Sequence, residues 1–224
     1  MSYPYPRRSH PRACGLIAHV CIGDTASCIT AAASREPQGP DSGARVDAEV
    51  GDARALDLAS GSVDVVLLLG PLDHLLRSED RLLALRESAR VLKPTGVVHA
   101  AAISRWAVRL DGILVQRFHE THPVLGERVD EMERTGVMGP ITEAGFTGYA
   151  HTPDQLRAEV GESGLALQSL VALEGVTFAL GDIDERMDDP VQRALVLDTL
   201  RALESVPDLI GIGTHLLATA TPAV

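Results

Sequence analysis

The chain has 224 residues, 45% of them hydrophobic and 23% charged. That is a globular composition, and no run approaches the ~18 apolar residues of a membrane span. Acidic residues outnumber basic ones, 31 to 20, for a net charge of −11. Phosphate neutralisation needs the opposite excess, so a general nucleic-acid-binding role is disfavoured. The sequence predicts a soluble cytoplasmic protein with no membrane or nucleic-acid partner, and it specifies no oligomeric state.

The first 43 residues differ from the rest. All three cysteines, Cys14, Cys21 and Cys28, lie here, and four arginines face three acids; the remaining 181 residues carry 16 basic and 28 acidic side chains. Three thiols cannot close a disulfide framework, and their even spacing is wider than zinc-ligand gaps. Arg7, Arg8 and Arg12 before an apolar stretch outline an export signal. His19 interrupts that stretch, however, and no Ala-x-Ala site follows. As a βα unit, the segment predicts a strand over Leu16–Cys21 and a short helix over Thr25–Ser34, capped by Asp24. A Pro- and Gly-containing loop then runs over residues 35–43.

From residue 44 the pattern is strong. Arg45 to Val50 alternates as a strand does, and Gly51-Asp52-Ala53 turns after it. Val63 to Leu69 is a nearly continuous apolar run between Gly and Pro breakers, as in a strand buried on both faces. Ser78 reads as an N-cap with Glu79 and Asp80 in the first turn, and Leu82, Leu85, Ala89 and Leu92 recur at helical spacing. Val97 to Ile103 is the next strand. Thr152-Pro153-Asp154-Gln155 is a capping box opening a helix to about Gly164. Strands over 165–173 and 176–180, a helix from Asp189-Pro190 to about Ser205, and a strand over 210–220 complete an α/β alternation.

Four segments form an ordered set: Gly51-Asp52-Ala53, Ser62 to Leu67, Gly70-Pro71-Leu72-Asp73-His74-Leu75, and Arg90 to Val97. This set resembles the central and C-terminal motifs of class I S-adenosylmethionine-dependent methyltransferases of the small-molecule, type 11-like kind. The likeness extends to Gly145–Gly164 and to the last strand. It implies a Rossmann-like sheet with flanking helices over residues 44–224 and S-adenosyl-L-methionine as cofactor. It also implies that Gly51, Asp52 and Ala53 meet the adenine, with the Asp52 carboxylate accepting from its exocyclic amine. Gly70, Pro71 and Leu72 would lie against the methionine part. Read without the resemblance, Asp52 heads an ordinary Asx turn.

The family's Gly-x-Gly-x-Gly loop and the acidic residue that grips the ribose have no counterpart in this sequence. The first βα units are therefore expected to be reduced or missing. Residues 1–43 are either a wrong-frame, disordered start or a divergent first unit, and both readings predict impaired cofactor binding.

Methyl transfer chiefly needs positioning, with a general base optional. His74 is the candidate base and Asp73 the candidate orienting residue. Residues 104–150 read as a helical lid over a small-molecule acceptor, with Trp106, Arg105 and Tyr149 as substrate contacts and Arg105 and Arg109 one turn apart on a helix. His119, Glu120 and His122 lack the i, i+4 pair of a helical metal site. The acidic run at 182–189 lacks the spacing of a calcium loop. A catalytically inactive methyltransferase-like binding module is the second reading. An NAD-dependent oxidoreductase ranks last, since it too needs a glycine-rich first loop.

Overall fold

The computed structural model describes residues 16–21, 27–34, 45–140 and 145–223. Asp24, the loop at 35–43 and the arginine-rich start, on which expectations rested, lie outside them.

Three strands come first: β1 (Leu16–Cys21), β2 (Ser27–Ser34) and β3 (Arg45–Asp52). They pair as an antiparallel meander, β1 with β2 and β2 with β3. Only five positions separate β1 from β2, and a parallel pairing needs a crossover of about a dozen residues. The helix expected over Thr25–Ser34 is thus corrected to a strand over Ser27–Ser34, the described part of that range. Ser-Cys-Ile-Thr-Ala-Ala-Ala-Ser has no decisive local propensity, and ladders on both sides determine its conformation. Among the described residues no helix lies between these three strands, where the sequence expected reduced or missing first βα units.

The chain then enters β4 (Val63–Leu69), the short α1 (Pro71–His74), α2 (Ser78–Val91) and β5 (Leu92–Ile103). β4 runs parallel to both β1 and β5. Ser78 is the first residue inside α2 and Arg77 its cap, without a side-chain bond, so the expected Ser78 N-cap shifts by one.

Residues 104–140 fold as a π-helix at Val108–Val115, a 3-10 turn at Phe118–Glu120 and α3 (Leu125–Thr135). β6 (Val137–Met138) then pairs with β7 (Gly148–Tyr149). The helical character matches expectation; the small β6–β7 pair carries no sequence signal at two residues per strand.

The C-terminal part holds α4 (Pro153–Glu162), β8 (Leu165–Ala172), α5 (Ile183–Asp188), α6 (Pro190–Leu203) and β9 (His215–Pro222). The capping box is realised: Thr152 Oγ1 accepts from Gln155 N at 3.2 Å and Gln155 Oε1 accepts from Thr152 N at 3.1 Å. Two strand expectations are corrected. Residues 176–180 contain a 3-10 turn at Thr177–Ala179. Residues 210–212 form another 3-10 turn, and the last strand starts only at His215. Apolar runs this short do not distinguish strand from turn.

The seven-stranded sheet has the order β3-β2-β1-β4-β5-β9-β8, with β9 antiparallel to both neighbours. One face is packed by α2 and α4. Val66, Leu68, Val98, Ala100, Ala102, Leu216, Ala218 and Ala220 alternate inwards from the strands to meet Ala84, Leu85, Leu156 and Val160. This period-2 burial places the odd-numbered partners, among them Ile103 and His215, on the opposite face.

Candidate active site at the carboxyl edge of the sheet

In an open α/β sheet ligands bind beyond the carboxyl ends of the parallel strands, where neighbouring connections diverge. Here that place lies beyond β1 and β4, since the chain leaves β1 towards β2 on one side and β4 towards β5 on the other. The carboxyl ends of β3, β4 and β5 each contribute polar groups to this edge.

At the end of β3, the Asp52 carboxylate is engaged by its own turn. Oδ1 accepts from Arg54 N at 2.9 Å and Arg54 Nε at 3.0 Å, and Oδ2 accepts from Arg54 Nη2 at 2.7 Å. Arg54 Nη1 reaches Asp80 at 3.1 Å. The side-chain bond from Arg54 holds the Asp52 carboxyl below its ordinary range. The Asx turn is therefore formed. Ala53 is buried behind it.

At the end of β4, Gly70 adopts φ 106°, which costs glycine little and other residues much, and it caps α1 with Pro71 at the first position. Leu72 is fully buried. Asp73 is 7% exposed, and its Oδ1 accepts from Ile103 N, at the end of β5, at 2.7 Å. Burial pushes its carboxyl up to about 7. Asp73 thereby fastens α1 to the neighbouring strand. His74 meets Phe146 edge-on, ring centroids 5.0 Å apart.

The expected lid contacts diverge. Trp106 remains 40% exposed and lies over Gly211. Arg105 and Tyr149, in contrast, are buried inside an ionic layer. Arg105 donates to Ala150 O at 2.7 Å, Glu133 O at 3.1 Å and Gln155 Oε1 at 2.6 Å. The Arg81 guanidinium stacks 3.6 Å over the Tyr149 ring. Arg105 and Arg109 do not lie on one helix: Arg105 precedes the π-helix that carries Arg109, and both reach α3, Arg105 at Glu133 O and Arg109 at the Glu133 and Asp130 carboxylates.

Sequence reasoning missed the groups beneath and beside this edge. Arg81 pairs with Glu159 at 2.6 Å and donates to Leu75 O and Leu76 O, both at 2.9 Å. Glu159 also meets His151 Nε2 at 3.1 Å, while Nδ1 of the fully buried His151 has no partner among the described residues. Burial pulls the His151 imidazolium below its ordinary pKa. Burial pushes Glu159 up, but bonds from His151 and Arg81 outweigh it and hold the carboxyl low. On β9, His215 Nδ1 lies 2.7 Å from Glu174 Oε1, and His215 N donates to Glu174 Oε2 at 3.0 Å. The only signal for that pair is the β8–β9 register, which sets Ala172 opposite Leu216.

Residues 12–100 match the family model of a methyltransferase domain. The motif resemblance therefore has independent support, and the match begins within the atypical first segment. Among solved structures the chain is similar to a SAM-dependent methyltransferase from Methanosarcina mazei, at 13% identity and TM-score 0.46, covering 79% of this chain and 66% of that one. It is also similar to a SAM-dependent methyltransferase described as a possible histamine N-methyltransferase, from Thermotoga maritima, at 17% identity and TM-score 0.44, covering 77% and 62%. A third is the CcbJ methyltransferase from Streptomyces caelestis, at 13% and TM-score 0.44, covering 78% and 62%. The chain spans about two thirds or less of the length of these structures. No curated protein matches it.

Proposed function

We propose that the chain is an S-adenosylmethionine-dependent methyltransferase acting on a small-molecule acceptor. The observation that carries this reading is the placement of the Gly51-Asp52-Ala53 and Gly70-Pro71-Leu72 turns. Both close strands that run in one direction, at the edge where an open sheet takes its ligand.

The residues present suit the two ends of this cofactor. A partly exposed carboxylate at Asp52 offers an acceptor to an adenine amine once Arg54 is held by Asp80 alone. The glycine at 70 lets backbone approach a ligand closely. When bound, the cofactor supplies a sulfonium methyl: the carbon–sulfur bond breaks with its electron pair kept by sulfur as the acceptor atom's lone pair forms the new bond to carbon. In this reading His74 borders the acceptor. Asp73 acts as a positioning residue, because its carboxyl is buried and holds the end of β5. Trp106 is the lid residue that keeps an exposed ring for substrate contact. Arg105 and Tyr149 support the lid from inside.

A second reading, a methyltransferase-like binding module without activity, is favoured by one observation: Arg54 occupies the carboxylate that adenine would need. Calorimetric titration of the chain with S-adenosylmethionine and S-adenosylhomocysteine separates the two. Binding in the micromolar range, about 8 kcal/mol, supports the enzyme reading. A folded chain that binds neither ligand overturns it.

A further inference from the structure

We propose that His215, oriented by Glu174, is the general base that takes the proton from a protic acceptor, a hydroxyl or an amine, at this site. The proposal rests on the methyltransferase reading above and adds to it the proton acceptor and the acceptor class.

The geometry has three parts. First, Glu174 grips His215 twice, through the backbone amide at 3.0 Å and the ring Nδ1 at 2.7 Å. A carboxylate only accepts, so Nδ1 carries the hydrogen and the neutral ring keeps its lone pair on Nε2. A base oriented by a third group in this way is the arrangement that proton-abstracting histidines use. Second, His215 opens β9 and pairs directly with Ile103, the residue whose amide Asp73 holds. This places it at the carboxyl edge of β5, beside the turn that follows β4. Third, it lies on the sheet face opposite the α2–α4 core, and its side chain is 44% exposed, so the ring is open to a ligand.

The electrostatics agree with the geometry. The bond to Glu174 raises the proton affinity of His215, and the negative charge of Asp73 adds to it. Among the described residues the charged or titratable groups facing the ring are Glu174, two residues beyond β8, and Asp73 on α1; Thr214 Oγ1 adds a polar contact at 3.3 Å. In the proton step the acceptor X–H bond breaks, its electron pair stays on X, and the hydrogen bonds to Nε2. Glu174 then balances the imidazolium.

The test uses the full chain and 3-nitrophenol as a protic probe, read through the phenolate absorbance at slightly alkaline pH, where the His215 ring is free to accept and the free probe is still largely the phenol. Wild type should convert bound phenol to phenolate. H215Q should abolish the absorbance rise, and E174Q should reduce it about tenfold, the worth of one charge-assisted orienting bond. H119Q, at an exposed lid histidine, should leave it intact. Circular dichroism confirms that each variant is folded. An equal rise in wild type and H215Q, or no rise in wild type, overturns the proposal. Calorimetry with S-adenosylhomocysteine is run on the same wild-type sample. A phenolate signal without cofactor binding overturns the methyltransferase reading while leaving the base standing, so the two failures are told apart.

Discussion

The Asp73 carboxyl accepts the amide hydrogen of Ile103 at 2.7 Å, joining the helix after β4 to the last residue of β5. The bond is made in a buried place, and burial raises the Asp73 pKa to about 7, above its ordinary value of 3.8. Between those two values the folded protein holds a proton that the unfolded chain has released. Stability therefore falls as pH rises through this window, by up to about 4 kcal/mol for a three-unit difference. D73N keeps an oxygen for the Ile103 amide and removes the charge. Its midpoint in urea at pH 8 should exceed wild type, with the difference vanishing near pH 4. Matching urea curves at both pH values would show that Asp73 is not buried as a carboxylate.

The ionic layer formed by Arg81, Glu159 and His151 has the opposite pH sign. His151 is held below its ordinary pKa by burial, and Glu159 is held low by its partners despite burial. On acidification the unfolded chain protonates its histidine first, at about 6.5, and its glutamate next. Stability is thus present at neutral pH and is lost as pH falls below about 6.5, then further as Glu159 protonates. Removing one partner leaves a buried charge uncompensated. R81A or E159A should each cost about 3–5 kcal/mol, and the apolar pair R81M/E159L considerably less. Urea unfolding of the three variants gives the comparison.

At Asp52 the question is competition between Arg54 and a ligand. R54A leaves the carboxylate open, so S-adenosylhomocysteine should bind a few-fold more tightly than to wild type. D52A removes the acceptor and should weaken binding about tenfold, one hydrogen bond's worth. Calorimetry reads both. Weaker binding in R54A would mean that the guanidinium itself serves the ligand.

Legibility from sequence followed how local the determining forces are. Val63–Leu69 was readable to the residue, because a nearly continuous apolar run between Gly and Pro breakers carries its own signal; its expected burial on both faces is corrected, since Val66 and Leu68 are buried while Val65 and Leu67 are half-buried and Leu69 is exposed. The same holds for α4, whose start is written in Thr152 and Gln155. β2 was not readable as a strand: its small and β-branched residues tolerate either conformation, and pairing with β1 and β3 decides. The turns at Asp52 and Gly70 were located from their motifs. His215 and Glu174, in contrast, are 41 positions apart, and only the β8–β9 register brings them together. Arg105 and Tyr149 were visible as chemistry-bearing residues. Their burial was not, since it depends on Arg81 and α4 arriving from elsewhere in the chain.

Gly136 supplies the sharpest steric test. It ends α3 with φ 87°, in the left-handed region, and its amide closes the helix on Met132 O. A Cβ there would sit 2.5 Å from Tyr149 Cε2 and 2.6 Å from Arg105 Nη2. Arg105 is held by three acceptors and Tyr149 lies under Arg81, so neither neighbour is free to yield. G136A therefore combines a left-handed backbone penalty of about 1–2 kcal/mol with overpacking of about 1–3 kcal/mol. It should lower the urea midpoint correspondingly. G161A is the control: Gly161 lies inside α4 with open space where its Cβ would go, and alanine there should stabilise by up to about 1 kcal/mol through helix propensity. If G136A were as stable as G161A, the packing of the end of α3 onto Tyr149 and Arg105 would have to be revised. The interior place assigned to those two residues would be lost with it.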